Sequence, residues 1–175
     1  MSIVSSPLTR DPEDLTSHLE DYLEVIAALQ QEDHVARAKD IADRLSVARG
    51  TVTSALKSLS EKGLINYQPY SHITLTKAGE ELAQRIIHRH KTLTTYLNQV
   101  LRISREKAEQ NACRAEHVLD EEVIERMVQF LEFMHKCPRT NKVWIDSFDK
   151  FCWGGQDKGN CKECIGQCLA NLYDK

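Results

Sequence analysis

No apolar run in this chain approaches the ~20 residues needed to span a bilayer. The opening residues, MSIVSSPLTRDPED, lack the basic-then-apolar order of a secretion signal. The expectation is a cytoplasmic protein without a membrane partner. A surplus of positive charge is also missing: 23 Lys and Arg stand against 26 Asp and Glu, a net charge of −3. The chain as a whole is no polycation, so any nucleic-acid contact must come from a local basic patch. Neither a pocket-forming glycine-rich loop nor a nucleophile–base pair is found, which argues against an enzyme, including a small metal hydrolase built on Glu116 and His117. Cysteine is scarce and then abundant: Cys113 stands alone, and five of the six lie at or after residue 137. In a reducing compartment such thiols are ligands or unpaired groups rather than disulfides.

At 175 residues the chain makes one large domain or two small ones, with enough length to bury a core. Residues 1–14 form a polar arm ending in a helix start at Asp14, Thr16 or Ser17. Leu15, Leu19, Tyr22, Leu23, Ile26 and Leu29 then draw the apolar stripe of an amphipathic helix over 15–31. Carboxylates on its flank are by default a solvated face, but Asp21 and Glu24 are three apart and can converge on one ion.

The stretch RAKDIADRLSVARGTVTSALKSLSEKG, 37–63, holds two short stripes. They are Ala38, Ile41, Ala42 and Leu45, then Val52, Leu56 and Leu59, with a tight break at Ser46-Val47-Ala48 between them and Gly63 at the end. Two short helices joined by such a turn are either a plain helical hairpin or a helix-turn-helix. The second helix opens on Arg49, Gly50, Thr51, Thr53 and Ser54, whose short polar groups suit close approach to a DNA backbone and base edges. Arg37, Lys39, Arg49 and Lys57 supply local positive charge, with Arg44 and Lys62 nearby. Residues 64–68 and 72–76 read as two strands around a turn, the wing of a winged helix, with Tyr70, Ser71 and His72 at its tip near phosphates. A long helix over 77–100 follows, carrying His88 and His90; two residues apart, they cannot share a face, so at most one is a ligand.

Residues 104–135 read as helical, with Ser104 capping the first part and Asp120 starting a second. Within it, Cys113-Arg114-Ala115-Glu116-His117 places a thiol, a carboxylate and an imidazole at i, i+3 and i+4, on one helix face. Such a mixed S/O/N set suits Fe(II), Mn(II), Co(II), Ni(II) or Zn(II) better than Mg(II) or Ca(II). Three ligands do not close a site, so others must come from elsewhere in the chain. Helices with two apolar sides in so short a chain point to a two-fold dimer, which presents two recognition helices to a palindromic site.

The winged helix paired with Ala-Cys-Arg-Ala-Glu-His-Val resembles the diphtheria toxin repressor family of metal-dependent transcriptional regulators, including its manganese-transport-regulator branch; the resemblance runs from Leu15 to Lys136. It implies a mainly α fold with a winged helix-turn-helix DNA-binding domain (1–76) and a helical metal-binding and dimerisation domain (77–136), after which the sequence adds a short Cys-rich tail (137–175). It implies a homodimer that, when metal-loaded, binds double-stranded operator DNA and represses metal-uptake genes. It places ligands on Cys113, Glu116 and His117, adds His90, and adds Asp21 with Glu24 from the first helix. This set mixes branches. The iron type has Met in place of Asp21 and keeps the Cys; the manganese type has Glu in place of Cys113 and keeps both carboxylates. An ancillary iron-type site expects a Glu and a second His where this chain has Thr94 and Glu109. Fe(II) and Mn(II) are therefore both expected ions, the thiolate favouring iron and the carboxylates manganese. An ion held from both domains would fix two recognition helices to match major grooves ~34 Å apart.

The tail extends beyond the resemblance. Cys137, Cys152, Cys161, Cys164 and Cys168 are spaced C-x14-C-x8-C-x2-C-x3-C. That density points to a second metal centre: an iron–sulfur cluster, suited to irregular spacing with a Cys-Pro ligand, or a structural zinc, although paired Cys-x-x-Cys knuckles are missing. Trp144, Phe148, Phe151 and Trp153 read as packing groups. The alternative function is a winged-helix redox or nitric-oxide sensor with a tail cluster as its main input.

Overall fold

The computed structural model describes residues 15–33, 35–68, 71–137, 145, 146 and 148. It contains six helices and one small sheet among these residues, in the order α1 (Ser17–Asp33), α2 (Ala38–Leu45), α3 (Arg49–Glu61), β1 (Ile65–Asn66), β2 (Thr74–Leu75), α4 (Lys77–Gln99), α5 (Arg105–Ala115) and α6 (Glu121–Lys136). The chain divides into two compact units, residues 1–88 and 89–175.

In the first unit the expected stripes become the core. Tyr22, Leu23, Ile26, Ile41, Val52, Leu56, Leu59 and Ile73 are all fully buried in one cluster. Leu15 and Leu19 pack against its edge. The α1 start falls where the sequence allows it, since the Thr16 carbonyl accepts the Leu19 and Glu20 amides. Helices α2 and α3 end in the same way. At α3, Gly63 (φ 71°) donates to the Ser60 carbonyl and Leu64 to the Leu59 carbonyl. At α2, Ser46 (φ 55°) donates to Asp43 and Val47 to Ala42. Both are left-handed helix stops that satisfy the last carbonyls, glycine in one and a strained serine in the other.

The wing is narrower than the alternating runs suggest. β1 and β2 are two residues each, antiparallel, with Ile65 opposite Leu75 and Asn66 opposite Thr74. A further extended residue joins them: Ala36, just before α2, bridges to Ile73 through paired backbone bonds of 2.9 and 3.4 Å. Gln30 of α1 adds its side-chain oxygen to the Leu75 amide at 3.1 Å. Thr76 then closes the wing and opens α4. Its hydroxyl donates to the Gly63 carbonyl at 2.7 Å and accepts from the Gly79 amide at 3.1 Å. Gly79 is a glycine because the Leu64 carbonyl lies against it: a Cβ there would meet that oxygen at 1.9 Å.

In the second unit Leu93 of α4, Ala112 of α5 and Ile124 of α6 form the buried centre, with Ala115, Leu119 and Met127 around it. The α5 side of this cluster is made of alanines. Ser104 and Asp120 do stand at the N-cap positions of α5 and α6, but neither side chain makes a capping hydrogen bond. The two helices expected from Ser104 and from Asp120 are both present: α5 stops at Ala115, which leaves Glu116 and His117 at and beyond its C-terminal cap, and α6 begins at Glu121. Beyond α6, Ile145 is buried and Asp146 pairs with Arg102 at 2.5 Å. No helix among the described residues is long and apolar enough to cross a membrane.

Candidate metal centre and nucleic-acid interface

Helix α3 has one face in the core and one in solvent. Val52, Ala55, Leu56 and Leu59 are buried, while Arg49, Gly50, Thr51, Thr53, Ser54 and Lys57 are exposed. Thr53 and Ser54 turn their hydroxyls back onto the Arg49 and Gly50 carbonyls, at 3.1 and 3.3 Å, which leaves a low, small-residue surface at the helix start. A Cβ on Gly50 would meet nothing within 4 Å. No acidic residue occupies the first turn of α3, so its positive pole is unopposed there. Arg37 and Lys39, at the start of α2, are also exposed. Between these elements lies a groove of about 460 Å³, lined by Arg37, Thr53, Lys57, Tyr67, Ser71 and His72 among others. Tyr67 is a groove residue the sequence reading missed; its only signal is an aromatic side chain two residues after the buried Leu64-Ile65 pair. Tyr70 lies outside the described residues. Arg44, counted with the basic patch, is instead held by Glu32 through bonds of 3.0 to 3.1 Å.

In the second unit Glu116 is the unusual residue. It is a carboxylate with no residue exposure, and an ion in a dry interior requires compensation. His90 shares a hydrogen bond with one of its oxygens and His117 lies near the other. His90 Nδ1 is 2.8 Å from Oε2, and His117 Nε2 is 3.5 Å from Oε1. Oε1 has no hydrogen-bond partner. The end of α5 explains the placement: Glu116 continues the inward line of Ala108 and Ala112 at i and i+4, and His117 follows in the turn. Cys113 and Glu116 stand on neighbouring lines of one helix face and differ in burial. Cys113 is exposed whereas Glu116 is buried. Three residues advance the helix by about 300°, so Cys113 sits beside the inward line, not on it. His90, and not His88, is the α4 histidine brought to Glu116; His88 is exposed.

Asp21 and Glu24 are half-buried on α1, in the first unit. Thr94 has a buried hydroxyl without a partner, and Glu109 is drawn outward by Arg105 at 2.9 Å. No group of three or more His, Cys, Asp or Glu among the described residues is already disposed to hold an ion. The donor chemistry nevertheless fits a divalent transition metal: a buried carboxylate with one unpartnered oxygen and an imidazole at each side. Of the tail cysteines, Cys137 follows α6 and is half-buried; Cys152, Cys161, Cys164 and Cys168 lie outside the described residues, as do Trp144, Phe151 and Trp153.

A winged helix joined to a helical unit with a buried carboxylate–histidine centre defines a ligand-responsive DNA-binding regulator. Comparison with known proteins makes that class specific. Residues 14–73 match the iron-dependent repressor N-terminal DNA-binding domain, and residues 76–145 the iron-dependent repressor metal-binding and dimerisation domain. A helix-turn-helix-type transcriptional regulator of Methanocaldococcus jannaschii is 34% identical over 119 residues, 67% of this chain and 95% of that protein. The diphtheria toxin repressor of Corynebacterium glutamicum is 30% identical over 130 residues, 74% of this chain and 57% of that one. The solved structure of the manganese regulator SloR superposes with a TM-score of 0.61 at 28% identity, covering 71% of this chain and 58% of that chain. The chain belongs to the iron-dependent repressor family of metal-dependent transcriptional repressors, which are regulators and not enzymes.

Proposed function

We propose that this chain is an Fe(II)- or Mn(II)-dependent repressor of metal-uptake genes that binds double-stranded operator DNA as a homodimer in the cytoplasm. The observation that carries the reading is the buried Glu116 carboxylate between His90 and His117, in a chain that also holds a winged helix with an exposed basic α3 face. The proposed metal ligands are Asp21, Glu24, His90, Cys113, Glu116 and His117. The proposed DNA contacts are Arg37, Lys39, Arg49, Thr51, Thr53, Ser54, Lys57, Tyr70 and Ser71. The proposed functional divisions are 1–76, 77–136 and 137–175.

A divalent ion would supply positive charge beside the buried Glu116 carboxylate. The protein's part is to present that carboxylate and the imidazoles and to deny them water. In this reading metal occupancy and operator affinity form one coupled equilibrium. Such couplings amount to about 1–3 kcal/mol, and DNA in turn tightens metal binding. The tail cysteines, Cys137 through Cys168, are proposed to hold a second centre, an iron–sulfur cluster or zinc.

Selection from a pool of genomic DNA fragments tests the main reading. The full chain is incubated anaerobically with Mn(II), with Fe(II), or with chelator alone. The expected result is enrichment of a palindromic site only with metal, lost in His117→Ala. Equal enrichment with chelator overturns metal dependence. Elemental and acid-labile sulfide analysis of anaerobically purified protein decides the tail chemistry: iron with sulfide marks a cluster, and about one zinc per chain without colour marks a structural site. Protein with neither overturns the second centre.

A further inference from the structure

Arg89 lies next to His90 on α4 and reaches the same corner by another route. Its Nη1 donates to the main-chain carbonyl of Glu116 at 3.0 Å, and its Nη2 pairs with the Glu121 carboxylate at 3.1 Å. Glu116 caps the C-terminal end of α5, and Glu121 stands in the first turn of α6. One guanidinium therefore spans the turn between two helices, the turn that carries Glu116 and His117. A carbonyl at a helix end has no intrahelical donor, and the helix pole there is negative, so a fixed cation is well matched to it. The Arg89 side chain is only 20% exposed, and its Nε is buried without a partner. A desolvated cation with an unsatisfied donor is costly to keep, so a packing function alone would be served better by an apolar side chain.

We propose that Arg89, held by Glu121, is a positioning residue for the divalent-cation site: it fixes the main chain of Glu116 while His90 fixes the carboxylate. Two consecutive residues of α4 thus hold Glu116 at both ends. The inference rests on the reading that Glu116 and His117 bind the ion. Lysine cannot replace Arg89, because an ammonium lacks the planar fork that serves two acceptors at once. Groups that orient ligands from behind typically change metal affinity by about tenfold to a hundredfold.

The test is Mn(II) titration of the full-length metal-free protein without DNA, read by calorimetry and by the Mn(II) electron-spin-resonance line shape. Thermal unfolding is recorded on the same samples. Arg89→Lys is expected to weaken Mn(II) binding by about tenfold or more at unchanged stoichiometry, with an altered line shape. Glu121→Gln, which keeps the shape of the partner and removes its charge, is expected to weaken binding by a smaller factor in the same direction. If Arg89→Lys does not fold, Glu121→Gln decides the question by itself. Lower thermal stability with wild-type Mn(II) affinity and line shape in these variants shows a purely structural role and overturns the proposal. His117→Ala separates the two levels. If it binds Mn(II) like the wild type, the underlying site assignment fails; if it loses Mn(II) while the Arg89 and Glu121 variants do not, only the positioning role fails.

Discussion

Tyr22 shows how a single residue can be both well buried and badly served. It is fully buried in the first unit's core, edge-on to His18 with ring centroids 5.0 Å apart, and its hydroxyl has no hydrogen-bond partner. Burial, and then the neighbouring Asp21 carboxylate, push the phenol above its ordinary 10.0. A raised value means that the folded state keeps a proton the unfolded chain gives up. The contribution to stability is therefore complete below about pH 10 and is lost as pH rises from there through the folded value. Tyr22→Phe removes the unpaired hydroxyl and the ionisation together. The expected outcome in urea unfolding is a gain of about 1 kcal/mol near neutrality and a flatter decline at alkaline pH. The sequence places Tyr22 correctly in the α1 stripe, because helical periodicity identifies burial. Periodicity carries no information about where a hydroxyl finds a partner. The same limit applies at Cys113 and Glu116: an i, i+3 spacing puts two residues on neighbouring lines, and only the packed Ala108 and Ala112 show which line points inward. Arg89 escapes the sequence reading for a similar reason, since its two acceptors are 27 and 32 residues away.

At the scale of elements, the two matching helix stops make a natural comparison. Gly63 meets the left-handed backbone without a Cβ, whereas Ser46 adopts it against the preference of an L residue. Ser46→Gly is expected to stabilise the chain by about 0.5–1 kcal/mol, and Gly63→Ser to destabilise it by a similar amount, as midpoint shifts in denaturant unfolding. An equal response at both positions would contradict the strain assigned to Ser46. Helices α1 and α4 were legible because each carries a stripe several turns long, and α2 and α3 because two short stripes flank a tight break, the second ending at Gly63. The wing was legible as a hairpin, but its strands shrink from five-residue runs to two residues each. Ala36 was illegible as a strand, since one bridged residue leaves no alternation to read. Gly79 likewise reads as an indifferent helix residue until the Leu64 carbonyl is found against it.

For the whole molecule, the second unit leaves apolar side chains in water: Val118 is 72% exposed, Phe133 48%, Leu101 41% and Val123 37%. Phe133 continues an aromatic row, 6.5 Å from Phe130, which is itself 5.8 Å from Tyr96 between ring centroids. In a two-fold dimer each such residue is counted twice, so one substitution acts on both sides of an isologous contact. If this face forms the proposed homodimer, Phe133→Lys costs about 3 kcal/mol of association, roughly a hundredfold in the dimer dissociation constant. Sedimentation equilibrium is expected to show the variant shifting to monomer, with operator affinity falling in parallel. An unshifted dimer places the interface elsewhere.

The bridge from Ala36 to Ile73 and the bond from Gln30 to Leu75 have a kinetic consequence. The second of these joins positions 45 residues apart, whereas α2 and α3 meet through a turn of a few residues. Loop-closure entropy delays distant pairings relative to neighbouring ones. The helical hairpin is therefore assembled early, and the wing is sealed by the last pairings to form. Unfolding retraces that order, so amides around Ile73 and Leu75 exchange with solvent before those of α3. The strand that follows the groove-lining Ser71 and His72 is thus also expected to be the seam along which the domain first opens.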